Sequence, residues 1–151
     1  MKDLDVIFYD ALMADEALNE AVGGRIASTG FEVAPDDQDN TQLPYIVVYN
    51  DGFFNADGTK DDVWEGGDDN VQASVEINAE SRNDVGRLQL MVRRSIDRYI
   101  RQMYSEGEEV PELLPEYPRS NGIEWNWTKP CYFTTLTYQC DIPNHLHDEQ
   151  D

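Results

Sequence analysis

Residues 81–104 show the most regular spacing of apolar side chains in the sequence. Apolar side chains recur there at steps of three and four residues, at Val85, Leu88, Val92, Ile96, Tyr99 and Met103. At about 3.6 residues per turn these side chains share one side of an α-helix, and that side must be buried. Ser81 stands at the N-cap position with Asp84 three residues later, as in a capping box. The pattern predicts a long helix that is the main hydrophobic element of the core.

The opposite side of this predicted helix is basic. It carries Arg87, Arg94, Arg98 and Arg101, and six of the 11 basic residues of the chain lie between positions 82 and 101. One interpretation is a solvated helix face with weak ion pairs such as Asp97 with Arg101. The other is a docking face for the acidic surface of a neighbouring copy or of a partner.

Two shorter helices are predicted near the start of the chain. The first follows Asp3, which is expected to cap it, and buries an apolar stripe formed by Leu4, Ile7, Phe8, Ala11 and Leu12. The second covers residues 15–22 with Asp15 as its cap. Gly23 and Gly24 are expected to end it, since glycine readily adopts a positive φ.

The strands are predicted from segments in which apolar residues occur at every second position or follow one another without a break. Residues 25–27 open a short strand, and residues 43–49 read as a central strand covered on both faces. Residues 71–79 alternate strictly, which predicts a half-buried strand with Gln72, Ser74, Glu76 and Asn78 in solvent. Residues 123–127 and 131–142 are expected to form a closing hairpin joined at Lys129 and Pro130.

The order of these elements predicts the fold class. We expect an α+β domain with a mainly antiparallel sheet of about four to five strands and two main helices packed on one face. Residues 1–144 form the single domain, and residues 145–151 form an acidic flexible tail. Residues 50–70 and 106–121, which are rich in acidic residues, glycine or proline, are predicted to be loops.

The charge, the hydropathy and the cysteine content of the chain argue against several classes of protein. The 31 acidic and 11 basic residues give a formal net charge of −20, which argues against ordinary nucleic-acid binding because phosphates need a basic footprint. No segment approaches the ~20 apolar residues of a membrane span, so we expect no membrane and a cytosolic setting. Cys131 and Cys140 fall about 30 Å apart on one predicted strand and are expected to be free thiols.

No motif nominates an enzyme. The stretch from Asn55 to Gly58 resembles the middle of a calcium loop, but the match places Phe53 and Trp64 where carboxylates are required. His145 and His147 are the only histidines and lie in the tail without a third zinc ligand nearby. We therefore expect no catalytic residue, no metal and no cofactor.

Three segments together resemble the tail terminator (tail-completion) proteins of long-tailed bacteriophages. The first is Leu12-x-x-Asp15-x-x-Leu18-x-x-x-Val22-Gly23-Gly24-Arg25-Ile26, the second is residues 43–48, and the third is the alternating strand that feeds the long helix over residues 71–104. The resemblance covers about the first 105 residues. Beyond them it is general, and the acidic loops at 50–70 and 106–121 are longer than the family leads us to expect.

The resemblance implies a virion protein of the neck, assembled in the cytoplasm of a bacterial host. It implies a ring, typically a homo-hexamer, on the head-proximal end of the tail tube, which stops tube polymerisation and contacts the tail tube protein and the head connector or adaptor. Genomic DNA would pass through the lumen without specific binding. Asp57, Asp61, Asp62 and Trp64 are the candidate residues for lining this lumen or contacting a neighbour.

Other functions stay open at this point. A head-completion or adaptor protein of the neck has the same size, class and ring geometry. An acidic inhibitor that mimics DNA suits the net charge of −20 but not the concentration of arginines on one helix. An enzyme that uses Asp57, Asp61 and Asp62 with a divalent metal is the least favoured of these alternatives.

Overall fold

The structure, a computed structural model, describes residues 3–29, 42–55 and 68–143. Three helices and six strands occur within these ranges. In chain order they are α1 (Leu4–Met13), α2 (Glu16–Val22), β1 (Ile26–Ser28), β2 (Tyr45–Asn55), β3 (Asp68–Ala79), α3 (Arg82–Ser105), β4 (Glu112–Leu113), β5 (Glu124–Asn126) and β6 (Cys131–Pro143). The predicted tail lies outside the described residues.

The six strands form one mixed sheet in the order β1-β2-β3-β6-β4, and β5 also pairs with β6. The α+β class is confirmed, but the predicted strand number of four to five is wrong. The extra strand is β4, which lies inside a predicted loop and pairs Leu113 with Cys140. The sheet is also less antiparallel than predicted, because β1 runs parallel to β2 and aligns Ile26 with Ile46.

Helices α1 and α3 pack on the same face of the sheet, as predicted. The strand residues beneath them occupy alternate positions, which point to one side of a sheet. These residues share one hydrophobic cluster with both helices; they include Ile46, Val48, Ala73, Val75, Ile77, Leu136, Tyr138 and Cys140. Phe8 of α1 meets Tyr138 of β6 edge to face, with 4.6 Å between ring centroids.

The long helix follows the prediction closely. Ser81 is its N-cap, and the Ser81 Oγ accepts a hydrogen bond from the backbone N–H of Asp84 at 3.1 Å. The predicted apolar stripe is buried except for Tyr99, which is half-buried. Ser95 is also buried on this side of the helix, which the apolar pattern did not indicate.

Asp15 joins α2 to α3. Its Oδ1 caps α2 by accepting from the Leu18 N–H at 3.1 Å, and its Oδ2 accepts from the Ser95 hydroxyl. Burial alone would raise the pKa of Asp15, but the hydrogen bonds from Ser95 and Leu18 and the charge of Arg98 hold the pKa below its ordinary value. By contrast, Asp3 occupies the N-cap position of α1 as predicted, but its side chain makes no capping hydrogen bond.

The second face of the sheet is less exposed than its polar residues predict. Ser74 and Asn78 are buried, whereas we expected both in solvent. The Ser74 hydroxyl donates to Asp51, and the Asn78 amide donates to Glu76 Oε1 at 3.1 Å. Small polar side chains in the middle of a wide sheet are screened by their neighbours and satisfied by them.

The β2–β3 hairpin is longer than the sequence indicated. Residues 50–55 and 68–70, which we assigned to a loop, continue the two strands. A register shift between Asn50 and Gly52 permits this extension, and Gly52 takes a φ of 88° there. Asn50 Oδ1 accepts from the Gly52 N–H at 2.8 Å, so the bulge has its own hydrogen bond.

Both cysteines are free and buried on β6. They fall at odd and even positions of one strand, and therefore on opposite faces of the sheet. Burial raises the pKa of the Cys140 thiol to about 12 and also raises the pKa of Cys131. The prediction of two unbridged thiols is confirmed.

The burial of α3 makes its leucines a matched pair for a stability test. Leu88 is fully buried, whereas Leu90 is 49% exposed on the same helix. We expect Leu88→Ala to lower the free energy of unfolding by about 2–5 kcal/mol, because it leaves a cavity. The control Leu90→Ala should change it by less than about 0.5 kcal/mol. Urea unfolding followed by circular dichroism measures both values, and equal losses would contradict this packing.

The lowered pKa of Asp15 predicts a pH-dependent contribution to stability. A carboxylate whose pKa is lower in the folded state stabilises above its unfolded pKa, and this contribution disappears as the pH falls through the folded pKa. Asp15→Ala should therefore destabilise by about 0.5–2 kcal/mol at pH 7, and by progressively less as the pH falls below about 4.

The control for this experiment is Asp5→Asn. Burial raises the pKa of Asp5, so its charged form opposes folding and replacement by Asn should stabilise at pH 7. Urea unfolding across pH measures both variants. A pH-independent effect of Asp15→Ala would contradict the role assigned to its charge.

Candidate interaction surfaces

The four arginines singled out from the sequence are all exposed on the side of α3 that faces away from the core. We call Arg87, Arg94, Arg98 and Arg101 the basic face. Two of them have partners on the helix itself: Arg87 lies 3.4 Å from Asp84, and Arg101 lies 3.1 Å from Asp97 as predicted. Because these pairs are largely in solvent, each contributes little to stability.

The other two arginines keep more of their charge for external contacts. Arg98 acts on Asp15 through its charge. Arg94 forms no ion pair with any residue that the structure describes, and the same holds for its neighbour Arg93. Unneutralised guanidinium groups on a chain of net charge −20 are attractive positions for a carboxylate from another molecule.

A groove of about 570 Å³ runs beside the basic face, between α3 and residues 113–118. Tyr138 of β6 lies at its base. Its lining is mostly apolar and includes two arginines and one aspartate: Leu90, Arg93, Arg94, Ile96, Asp97, Leu113, Leu114, Pro115, Tyr117, Pro118 and Tyr138. Arg94 belongs to both the groove and the basic face, so the two surfaces are continuous.

Backbone hydrogen bonds to β6 hold the outer wall of this groove. The Leu114 N–H donates to the carbonyl of Gln139 at 3.0 Å, and Arg119 exchanges two backbone bonds with Thr137. Between them the Tyr117 N–H donates to the Leu114 carbonyl at 3.0 Å and closes a turn. The groove is therefore a preformed feature of the fold, which lowers the entropy cost of binding.

A second exposed surface lies at the β5–β6 hairpin. Trp127 is 88% exposed in the turn, and Trp125 beside it is 37% exposed. Trp125 contacts Tyr132 edge to face at 4.9 Å between centroids, and the Arg82 guanidinium lies 5.9 Å from the Tyr132 ring. A solvent-exposed tryptophan beside other aromatic rings is characteristic of a protein contact surface.

The candidate loop residues Asp57, Asp61, Asp62 and Trp64 lie outside the described residues, as do His145 and His147. The ends of the loop are nevertheless fixed. Asn55 pairs with Asp69, and Asp68 pairs with Pro143. Asn55 and Asp68, which flank residues 56–67, therefore lie at the end of the sheet where β2 and β6 finish and β3 begins.

The described part of the chain holds no group of three His, Cys, Asp or Glu side chains placed to bind a metal ion. Within the same part, none of the helices has the length and apolar character needed to cross a bilayer. The surfaces that stand out are thus a basic face, a groove and an aromatic hairpin, all suited to contacts with other macromolecules.

Comparison with models of known protein families gives no match, and comparison with curated protein sequences gives no significant relative.

Sequence reasoning found the basic face but missed the groove and the exposed Trp127. The signal for the groove was weak: Leu90 is an apolar residue among polar neighbours on the outer side of the helix. Residues 113–118 were assigned to a loop, and nothing local indicated that they pair with β6. Trp127 was assigned to a strand, whereas it lies in the turn after β5.

Proposed function

We propose that the protein is a structural component of a bacteriophage virion, a tail terminator that forms a ring on the head-proximal end of the tail tube. The observation that carries the proposal is the exposed basic face of α3 on a chain whose net charge is −20. The resemblance of residues 12–26, 43–48 and 71–104 to that family supports it.

A closed ring of identical subunits needs two different patches that complement one another. The basic face and the adjoining groove provide one patch, with an apolar centre and charged residues around it, as in stable protein interfaces. The acidic remainder of the chain provides many positions for the second. Opposite charges on the two patches fix the orientation of the subunits and speed their association.

The acidic composition also suits a channel for DNA. A wall of negative charge repels phosphates, so DNA slides past it without binding. In the proposed hexamer, the aspartates of residues 56–67, namely Asp57, Asp61 and Asp62, either line this lumen or contact the neighbouring subunit.

A terminator must contact the tail tube protein and the head connector or adaptor as well as its own copies. The β5–β6 hairpin, with Trp125 and Trp127, is separate from the basic face and supports a contact of this second kind. Tryptophan is among the residues that contribute most to binding when an interface covers them.

A head-completion or adaptor protein would have the same ring geometry, and capping of purified tail tubes separates the two roles. An acidic DNA mimic is a different class of function. It would compete with DNA for a nuclease or repressor as a monomer, and the basic face of α3 would weaken that competition.

The mass of the purified protein in solution tests the proposal directly. We expect light scattering across protein and salt concentration to show a closed oligomer, and electron microscopy to show rings with a central hole. If rings form only on their template, the protein should instead cap purified tail tubes. A protein that stays monomeric and leaves tube length unchanged would contradict the proposal.

Charge reversal on the basic face tests the subunit contact. Arg94→Glu together with Arg98→Glu should weaken assembly while the monomer stays folded, because both side chains are exposed away from the core stripe. Light scattering measures assembly, and far-UV circular dichroism measures folding.

The matched control is Arg82→Glu, which makes the same change of charge as Arg94→Glu at an exposed position outside both the basic face and the groove. This variant should assemble like the original chain. Equal effects of the two single reversals would show that net charge, and not the basic face, governs assembly.

A further inference from the structure

The groove between α3 and residues 113–118 has a chemical character that identifies its occupant. We propose that it receives residues 61–65 of a second copy of this chain, with Trp64 in its apolar part and the flanking carboxylates on Arg93 and Arg94. This inference rests on the proposed ring for the presence of a neighbouring copy, and it adds which segment binds where.

The lining of the groove is complementary to a segment that has an aromatic residue with acidic neighbours. Its volume of about 570 Å³ lies in the range of sites that enclose a large side chain together with adjacent chain. Leu90, Leu113, Leu114 and five further apolar or aromatic side chains offer contact to an aromatic ring. The guanidinium groups of two arginines, opposed by the single carboxylate of Asp97, offer contact to carboxylates. An occupant that is only apolar would leave both arginines without partners.

Residues 61–65 meet this requirement better than the surroundings of the other tryptophans. Trp64 has Asp61, Asp62 and Glu65 within three positions, whereas Trp125 and Trp127 each have only Glu124 within three positions. Carboxylates and guanidinium groups pair through two parallel hydrogen bonds, which gives such a contact orientation as well as strength.

Chain length favours a second copy over the same chain. Trp64 is four residues from Asp68, so its Cα lies at most about 14 Å from that of Asp68. Asp68 pairs with Pro143, and Tyr138 at the base of the groove is about 17 Å further along β6. The backbone at Trp64 therefore stops short of Tyr138 in its own chain and reaches only the end of the groove at Leu113, which pairs with Cys140. The loop of a neighbouring copy can enter the groove along its whole length.

The arrangement has the asymmetry that a ring requires. The donor loop leaves the sheet at the end of the β2–β3 hairpin, and the acceptor groove lies along α3. These are different patches of one chain, so each copy donates to one neighbour and accepts from the other. Because Arg94 is shared, a bound loop also brings acidic surface onto the basic face.

Photo-cross-linking with isotope labels tests the contact. A chain carrying p-benzoylphenylalanine in place of Leu114 is mixed with an equal amount of uniformly 15N-labelled chain, irradiated and analysed by peptide mass spectrometry. We expect cross-links from the unlabelled position 114 to labelled peptides that contain residues 61–65. A second variant carries the same probe in place of the half-exposed Leu90. It should give the same cross-links if the probe at position 114 has not disturbed the groove.

Substitutions give an independent readout. Trp64→Ala should raise the dissociation constant of assembly at least about tenfold, whereas the control Trp127→Ala should leave it unchanged. Arg93→Glu with Arg94→Glu should also weaken assembly. Adding Asp61→Arg and Asp62→Arg to that chain should restore assembly, because the charges are then exchanged.

The outcomes separate this inference from the proposed function. If rings form but no cross-links join position 114 of the unlabelled chain to residues 61–65 of the labelled chain, the proposed docking is wrong and the proposed ring is unaffected. If the cross-links occur only within single chains, residues 61–65 bind the groove of their own chain, and the proposal that a second copy supplies them is wrong. A chain that stays monomeric, leaves the length of purified tail tubes unchanged and forms no cross-links between copies would remove both.

Discussion

The burial of one side of α3 against β3 and β6 is the interaction on which the rest of the molecule depends. Val85, Leu88 and Val92 are completely buried there, and α1 completes the same hydrophobic cluster from the other side of the helix. This burial fixes the rotation of α3 about its axis. The arginines opposite the stripe are consequently presented to solvent, and the surface chemistry of the protein follows from the packing of its core.

The way the helices cover the sheet explains the groove. Helices α1 and α3 pack over the middle of the sheet, and α3 leaves a channel on its β6 side, where residues 113–118 form the opposite wall. The hydrogen bonds of Asp15 to Ser95 and Leu18 connect α2 to the far side of the same helix. Helix α3 is thus held from both sides, which gives the groove and the basic face fixed positions relative to each other.

The contrast between the acidic chain and the basic face of α3 is the basis of the proposed contact between copies. The acidic surfaces of two copies repel one another, whereas a local excess of arginines attracts an acidic surface. The apolar lining between Arg93, Arg94 and Leu113 adds the burial that charge alone does not supply. In the proposed neck assembly, the same charge keeps passing DNA from binding to the ring.

Features that depend on neighbouring residues could be predicted from the amino-acid sequence. It predicted α3, its Ser81 cap, the Gly23 end of α2, the exposed arginines and the α+β class, because helical periodicity and capping are local. Features that depend on pairing between distant residues became visible only in the folded chain: the parallel β1, the strand β4, the burial of Ser74 and Asn78, and the groove. A two-residue strand such as β4 has no period to detect, and its partner Cys140 lies 27 positions from Leu113. The basic face could therefore be predicted from the sequence of one helix. The groove could not, because it forms only when the sheet brings residues 113–118 beside α3.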